Sequence, residues 1–459
     1  MLKLPMPFPP RLSVHLNPLA GAAAIAIALA LGLSAPQVAL AAGITVTTTD
    51  DVVADDGVCS LREAVYNSNT DSQQFAGAGE CAAGSGPDTI MLPAGRFALG
   101  PSGHLQMSKS TAIVGAGTGA TTIVGPAGDY TLYAYPYGGL TPENPKQALT
   151  ASRVYTFADL TVIGGDYGIY VYDYDSDTFI ERVDVQGATQ YGVYVYGTSL
   201  RIGQSRIHHN TYSGLYVSNA ETQISLSQID HNSSYGAYFY GHVNMTQTLV
   251  TANGGDGMRA SYQGASIVNS AFSANAGNGL NVQNNVAITN STITANGGKG
   301  IYDDNYATGL ANTIIAGNAT GNCDANGVIS SRGHNLSSDA SCPGLTGAGD
   351  LINTNPLFGP LTVFAPNGMP VYPLLPGSPA LDAGANCPAD DMRGAVRPFG
   401  AACDIGAFEL TDVIASLSGA VYNDADNNGA RAITETGIAG VPVRLTGGNF
   451  TLTAQTDIS

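Results

Sequence analysis

The chain has 459 residues, only 11% of them charged, with 58 glycines and a formal net charge of −18. A hydrophobic share of 44% excludes a disordered chain, and the acidic balance opposes binding along a phosphate backbone. Low charge with abundant Gly, Asn, Ser and Thr suits extended β-structure with many tight turns.

Residues 1–42 read as a secretory signal peptide. Lys3, Arg11 and His15 form a basic n-region, Leu19 to Leu33 an apolar stretch, and Ala39-Leu40-Ala41 a small-x-small cleavage pattern. Removing them leaves 15 basic against 35 acidic residues, or −20. No later segment is long and apolar enough to span a bilayer. Export makes disulfides the natural reading of three local cysteine pairs, Cys59 with Cys81, Cys323 with Cys342, and Cys387 with Cys403. The connectivity itself stays open at this point.

Ile44-Thr-Val46 starts a strand. Ser60 and Glu63 have capping-box spacing, and Leu61, Ala64 and Val65 can share one helical face. A short helix lying over the first coil is the expectation, with Arg62 and Glu63 structural rather than catalytic. The motif Cys59-Ser-Leu-Arg-Glu-Ala64 makes residues 43–92 similar to the CSLREA domain that precedes β-helices in exported bacterial proteins.

Residues 93–320 read as a right-handed parallel β-helix with three strands per coil and about 22 residues per coil. Glycines recur at Gly168, Gly192, Gly214, Gly236, Gly257, Gly279 and Gly300. Asparagines recur in phase at Asn210, Asn232, Asn253, Asn275, Asn296 and Asn318. Apolar residues alternate after each Gly, as in Ile169 and Val171, or Val193 and Val195. That is a strand with one buried face, which stacked coils can bury against each other. The Asn suits an αL turn, and stacked Asn side chains can hydrogen-bond between coils. Residues 130–152 break the period and read as a projecting loop. This region resembles the repeats of the pectate-lyase-like superfamily.

Residues 321–410 change character. Asn353-Thr-Asn-Pro-Leu357, Asp391-Met-Arg-Gly394 and Cys403-Asp-Ile-Gly-Ala-Phe-Glu409 resemble the choice-of-anchor Q domain, which implies a C-terminal cap and surface display. Residues 416–459 read as the start of a further β-sandwich domain, cut short. Asp424, Asp426, Asn428, the Ala430 carbonyl and Glu435 fall at calcium-loop positions 1, 3, 5, 7 and 12, with Gly429 at the bend. With Gly437 to Leu445 this resembles an SdrD-type B domain, so calcium is the one cofactor expected. That family commonly has Asp at loop position 9, where this chain has Ala432.

The outward positions two and four after the repeat Gly are rich in Tyr: Tyr170, Tyr194, Tyr216 and Tyr238, then Tyr172, Tyr196 and Tyr240. Rungs ~4.8 Å apart turn them into a tyrosine wall, either a face for sugar or protein or a self-stacked cover for the sheet. Arg259, Asn281 and Tyr302 continue the first row. Asp173, Asp175, Asp177 and Asp184 read as a solvated acidic turn. His208, His209 and His231 read as turn residues without a third metal ligand. Asp303-Asp304 echoes paired hydrolase carboxylates, but the accompanying polygalacturonase motifs are missing.

The expectation is a secreted or cell-surface, adhesin-like β-helix protein that binds an extracellular polysaccharide or a cell-surface protein, and no nucleic acid. The alternatives are a polysaccharide lyase or glycoside hydrolase on the same fold, and a structural envelope component without ligand. No catalytic residue is identified.

Overall fold

The computed structural model describes residues 43–136, 152–303, 306–324, 328–364, 368–411, 421–429, 431–432, 434–447 and 450–456. Residues 1–42, where a signal peptide is expected, lie outside the described residues, as do Ala430 and Asp304. Among the described residues no helix is long and apolar enough to cross a membrane. The described parts of 1–409 form one compact unit and those of 410–459 a second.

The first unit is a right-handed parallel β-helix. Its first face is a nine-stranded sheet running from Leu105–Met107 and Tyr130–Ala134 through Tyr167–Tyr172 and Val193–Tyr196 to Ile301–Asp303. The second and third faces begin as separate short strands, Asp88–Met91 with Gly95–Ala98 and Thr111–Val114 with Thr121–Gly125, and merge in the next two coils into the long strands Arg153–Gly164 and Ser176–Gln186. From Ser199–Gly203 and Arg206–His208 onward each coil splits them in two. All pairings between coils are parallel and in register, such as Ile180 with Ile202 and Ile202 with Ile224.

Alternation produces the core. Val171, Val195 and Val217 stack from the first face, Ile202 and Ile224 from the second, and Val185, Ile207, Ile229 and Val250 from the third, all buried. Each such side chain contributes about 1.5–3 kcal/mol by leaving water. No single coil could close this core alone, which is why the repeat must stack.

Two polar columns run beside it. Nδ2 of Asn210, Asn232, Asn253, Asn275 and Asn296 each donates to Oδ1 of the next Asn at 2.8–3.0 Å. Each Oδ1 also accepts the backbone N–H of the preceding Asn at 3.1–3.2 Å. The ladder therefore exists, but the left-handed turn does not fall on the Asn. It falls one residue earlier, at His209, His231, Ala252, Ala274 and Ala295, with φ between 52° and 57°. None of these ladder Asn residues takes a positive φ.

The second column holds Ser205, Ser227, Thr248, Ser270, Ser291 and Thr313. Each hydroxyl donates to the carbonyl two residues back, and several accept the N–H of the column residue in the preceding coil. Here too the preceding residue is left-handed, from Gln204 to Asn312.

The coils extend further than 93–320. Gly43–Thr45 already pairs with Asp88–Met91, and Leu336–Ser337 still pairs with Ile314–Ala316. Tyr130–Ala134 is a strand of the first face rather than loop, with Leu132 beside Ile169, while 137–151 lies outside the described residues. Helix α1 (Leu61–Thr70) covers the N-terminal end. Its capping box forms between Ser60 and Glu63, and Arg62 forks onto Asp51 at 2.7 and 2.8 Å.

Residues 383–407 fold back along the flank. Gln247, Asn269 and Asn312 donate to the carbonyls of Asp391, Asp390 and Ala385. The segment is held by charges: Arg397 meets Glu409 at 3.0 Å with both side chains fully buried, and Arg393 meets Asp391 at 2.8 Å. Burial pulls the Arg397 pKa down, against the pull of Glu409 and Asp391. The cap-like motif residues thus build a flank, not only an end. The three disulfides join Cys59 to Cys81, Cys323 to Cys342 and Cys387 to Cys403.

The candidate binding face and two candidate metal clusters

The first face carries its tyrosines outward. Tyr133, Tyr170, Tyr194, Tyr216 and Tyr238 share one register row, followed by Arg259, Asn281 and Tyr302. Tyr172 and Tyr196 pair in the next row, and Tyr240 sits beyond Ser218. Tyr130, Tyr135, Tyr167, Tyr174, Tyr191, Tyr212, Tyr235 and Tyr262 join by ring contacts, and their columns were not read from the sequence.

The stacking geometry decides what this surface offers. Tyr170 to Tyr194 is 4.8 Å at 11°, and Tyr194 to Tyr216 is 4.8 Å at 9°. Near-parallel rings at that spacing are offset stacks along the solenoid axis. Their faces meet each other, so hydroxyls and ring edges form the outer surface. The stack turns at Tyr238, which lies at 80° to Tyr216 and under the Arg259 guanidinium at 5.2 Å. Its other end meets His104, 4.9 Å from Tyr133. Tyr262 is 76% exposed and presents most of its ring to solvent.

Crowding keeps the phenols neutral. Burial, then the neighbouring phenol Tyr216, pushes Tyr194 up to about 12. A hydrogen bond with Tyr174 and burial take Tyr172 to about 12, and one with Tyr238 does the same for Tyr240. Burial among the same rings also raises Tyr170 and Tyr191. At neutral pH the surface is thus a field of hydroxyls able to donate and accept.

Asp303 points inward, fully buried, and accepts from Thr308 Oγ1 at 2.8 Å and from the Tyr306 N–H at 2.7 Å. Asp173 is buried under Arg153 and accepts from the Tyr155 hydroxyl at 3.1 Å. Asp184 sits on the third face, so the four-acid turn read from sequence is not one cluster. The second face has a shallow groove of about 600 Å³ lined by Thr156, Phe179, Glu181, Arg182, Arg201 and Gln223. Arg182 there is forked by Asp159 at 2.6 and 2.8 Å.

On the third face, register brings Asp184, Arg206, His208 and Asp230 together. His208 Nε2 lies 3.0 Å from Asp184, and its Nδ1 lies 2.6 Å from His209 Nδ1. Arg206 forks Asp230 at 2.8 and 2.7 Å, and His231 Nδ1 reaches the same carboxylate at 2.7 Å. Burial, His208 and His231 lower the His209 pKa. His208 closes a strand rather than lying in a turn, and an Asp230 oxygen from the next coil lies within 4.8 Å of ring nitrogens of His208 and His209.

In the second unit, carboxylate oxygens of Asp424, Asp426 and Glu435 lie within 4.8 Å of one another. Backbone N–H groups organise them: Gly429 donates to Asp424 at 2.9 Å, and Ala425 and Ala432 to Glu435 at 2.9 and 2.8 Å. A hydrogen bond from Gly429, helped by one from Asn428, lowers the Asp424 pKa against the opposing effect of desolvation. Asn428 turns its amide onto Asp426 at 2.7 Å, and Gly429 takes φ 75° at the bend. Pro442–Gly447 and Phe450–Gln455 form an antiparallel hairpin in the same unit.

One family model agrees with this geometry at the level of fold. Residues 167–320 match the family model described as right handed beta helix region. Among solved structures, pectate lyase Pel9A is 16% identical, covering 71% of this chain and 88% of its own, at a TM-score of 0.49. The Azotobacter vinelandii mannuronan C-5 epimerase AlgE6 A-module is 18% identical, covering 63% and 88%, at 0.47. The periplasmic alginate epimerase AlgG is 15% identical, covering 53% and 77%, at 0.40. Comparison with curated proteins finds no match. Coils, ladders and family model together make this chain a right-handed parallel β-helix protein.

Proposed function

We propose that this is an exported β-helix protein whose tyrosine face binds an extended polysaccharide laid along the solenoid axis. The unbroken outward row from Tyr133 to Tyr238 carries the reading. A polymer of repeating units meets the same hydroxyl and ring edge at every rung. Phenols combine hydrogen bonding with apolar area at little loss of side-chain freedom. Because ring faces are taken up by mutual stacking, recognition runs through hydroxyls and edges, with face stacking left to end rings such as Tyr262. Against the lyase or hydrolase reading, Asp303 is buried and already engaged by Thr308 and Tyr306. A protein partner and a purely structural wall are the competing occupants. Affinity electrophoresis on neutral and acidic polysaccharides tests the proposal. Retardation by one of them, lost in a Tyr194→Ser/Tyr216→Ser variant, supports it. Mobility unchanged on every glycan, or release of unsaturated or reducing ends, rejects it.

The second unit is read as a calcium-binding segment of a surface-displayed protein. The convergence of Asp424, Asp426 and Glu435 supports this, with hard oxygens suited to calcium. A calcium titration of the whole chain tests it: saturable binding lost in Asp424→Asn is expected, and equal binding by the variant overturns it.

A further inference from the structure

We propose that His208, His209 and Asp230 bind one divalent transition-metal ion of the zinc type on the third face of the β-helix. One ligand atom from each lies within 4.8 Å of the others. A carboxylate only accepts, so the His208 Nε2–H must donate to Asp184 at 3.0 Å. The His208 Nδ1 is then left with its lone pair. That nitrogen faces the Nδ1 of His209 at 2.6 Å. Two imidazole nitrogens so close need a proton or a cation between them.

The surroundings favour the cation. Asp184 and Asp230 bring two negative charges against the single charge of Arg206. Arg206 and His231 both reach Asp230 Oδ2, while Oδ1 meets only Arg206 Nε and keeps a second lone pair for the ion. Two imidazoles and a carboxylate suit zinc-type ions rather than calcium, with water completing a tetrahedron. Metal bonds of about 2.0–2.1 Å place tetrahedral nitrogens about 3.3 Å apart. The His rings must therefore part by a fraction of an ångström. His209 is exposed, at φ 52° outside the strand ladder, and can turn to do so. The His231 ring stacks on it at 5.0 Å and 1°, and limits that turn to one direction. Asp184 acts as a positioning residue, fixing the His208 tautomer from the coil before. The bound ion joins side chains of two successive coils, and Asp184 ties in a third through His208.

The test uses the untagged full chain, with Zn²⁺ followed by calorimetry and Co²⁺ by its visible spectrum. One saturable equivalent of Zn²⁺ is expected, raising the melting temperature. His209→Asn keeps a residue tolerant of the left-handed turn and should bind at least tenfold more weakly. His209→Gln repeats the test should the first variant misfold. Asp184→Asn should weaken binding about tenfold and alter the Co²⁺ band while leaving the metal-free melting temperature in place. Asp424→Asn should bind as the parent does, separating this site from the acidic loop. Absence of saturable binding, or parental affinity in the His209 and Asp184 variants, overturns the proposal, as does loss of Zn²⁺ in Asp424→Asn.

Discussion

The asparagine ladder and the tyrosine wall are both columns of one residue type repeated coil after coil, yet they do opposite things. The ladder is buried, and its amides are spent on one another and on the backbone. The wall is half exposed: its rings stack on one another, and some of its hydroxyls pair at the surface, Tyr172 with Tyr174 and Tyr238 with Tyr240. Repetition alone therefore does not separate scaffold from site. What separates them is whether the polar atoms of the repeat are satisfied inside the molecule.

The sharpest way to break this contrast is to interrupt the ladder. Asn253→Leu removes the acceptor for the N–H and the amide of Asn232, and the donor to Asn275 and Ile229. Buried polar groups left without partners cost about 1–3 kcal/mol each, so a loss of about 3–5 kcal/mol is expected. Denaturant midpoints measure it, and glycan retardation of the folded variant should not change. A loss under about 1 kcal/mol would show that water replaces the side chain and that the ladder is ornamental.

Alkali separates the two columns next, because only one of them titrates. The Tyr172, Tyr194 and Tyr240 phenols ionise near 12 in the fold, against about 10 in the unfolded chain. A raised folded pKa means the folded state holds protons that the unfolded state has lost. The contribution is thus complete below about pH 10 and disappears as pH climbs through about 12. Phenolate absorbance should lag in the folded protein, and unfolding should set in as it catches up. Titration of all phenols together near 10 would mean the stack is open to water.

Substitution within the wall should move binding more than stability. Tyr194→Ser with Tyr216→Ser removes two adjacent stacked rings and should weaken polysaccharide binding at least tenfold, or about 1.4 kcal/mol. Titration calorimetry measures the affinity and a melting curve the stability. A variant that melts far lower while binding as before would make the wall a sheet cover.

The coil itself was legible because one-sided burial writes period two into each strand, and stacking writes the Gly and Asn spacing. The left-handed position was not, since a ladder Asn and a turn Asn look alike until the side chain has a partner. Tyr130 and Tyr133 were hidden by the insertion that breaks the period after them. The Asp184–His208–Asp230 grouping was hidden by register, because its members are 22 to 24 residues apart and meet only when rungs align. The flank at 383–407 had no repeat to announce it. Its charged residues Arg393 and Arg397, and Glu409 just beyond it, are buried.

The hydroxyl column gives the smallest effect and the finest test of the same idea. It was present in the sequence at steps of 21 or 22 but lost among the many Ser and Thr of the chain. Ser270 accepts from the Thr248 N–H at 3.2 Å and donates to the Val268 carbonyl at 2.8 Å. Ser270→Ala leaves both backbone groups without that partner and should cost about 1–2 kcal/mol. Ser270→Thr should cost close to nothing, because Thr248 and Thr313 already occupy the column and make the same bond to the carbonyl two residues back. Equal midpoints for the Ala and Thr variants would mean the hydroxyl does no structural work there. The column would then have to be regarded, like the tyrosines, as polar atoms not committed to the fold.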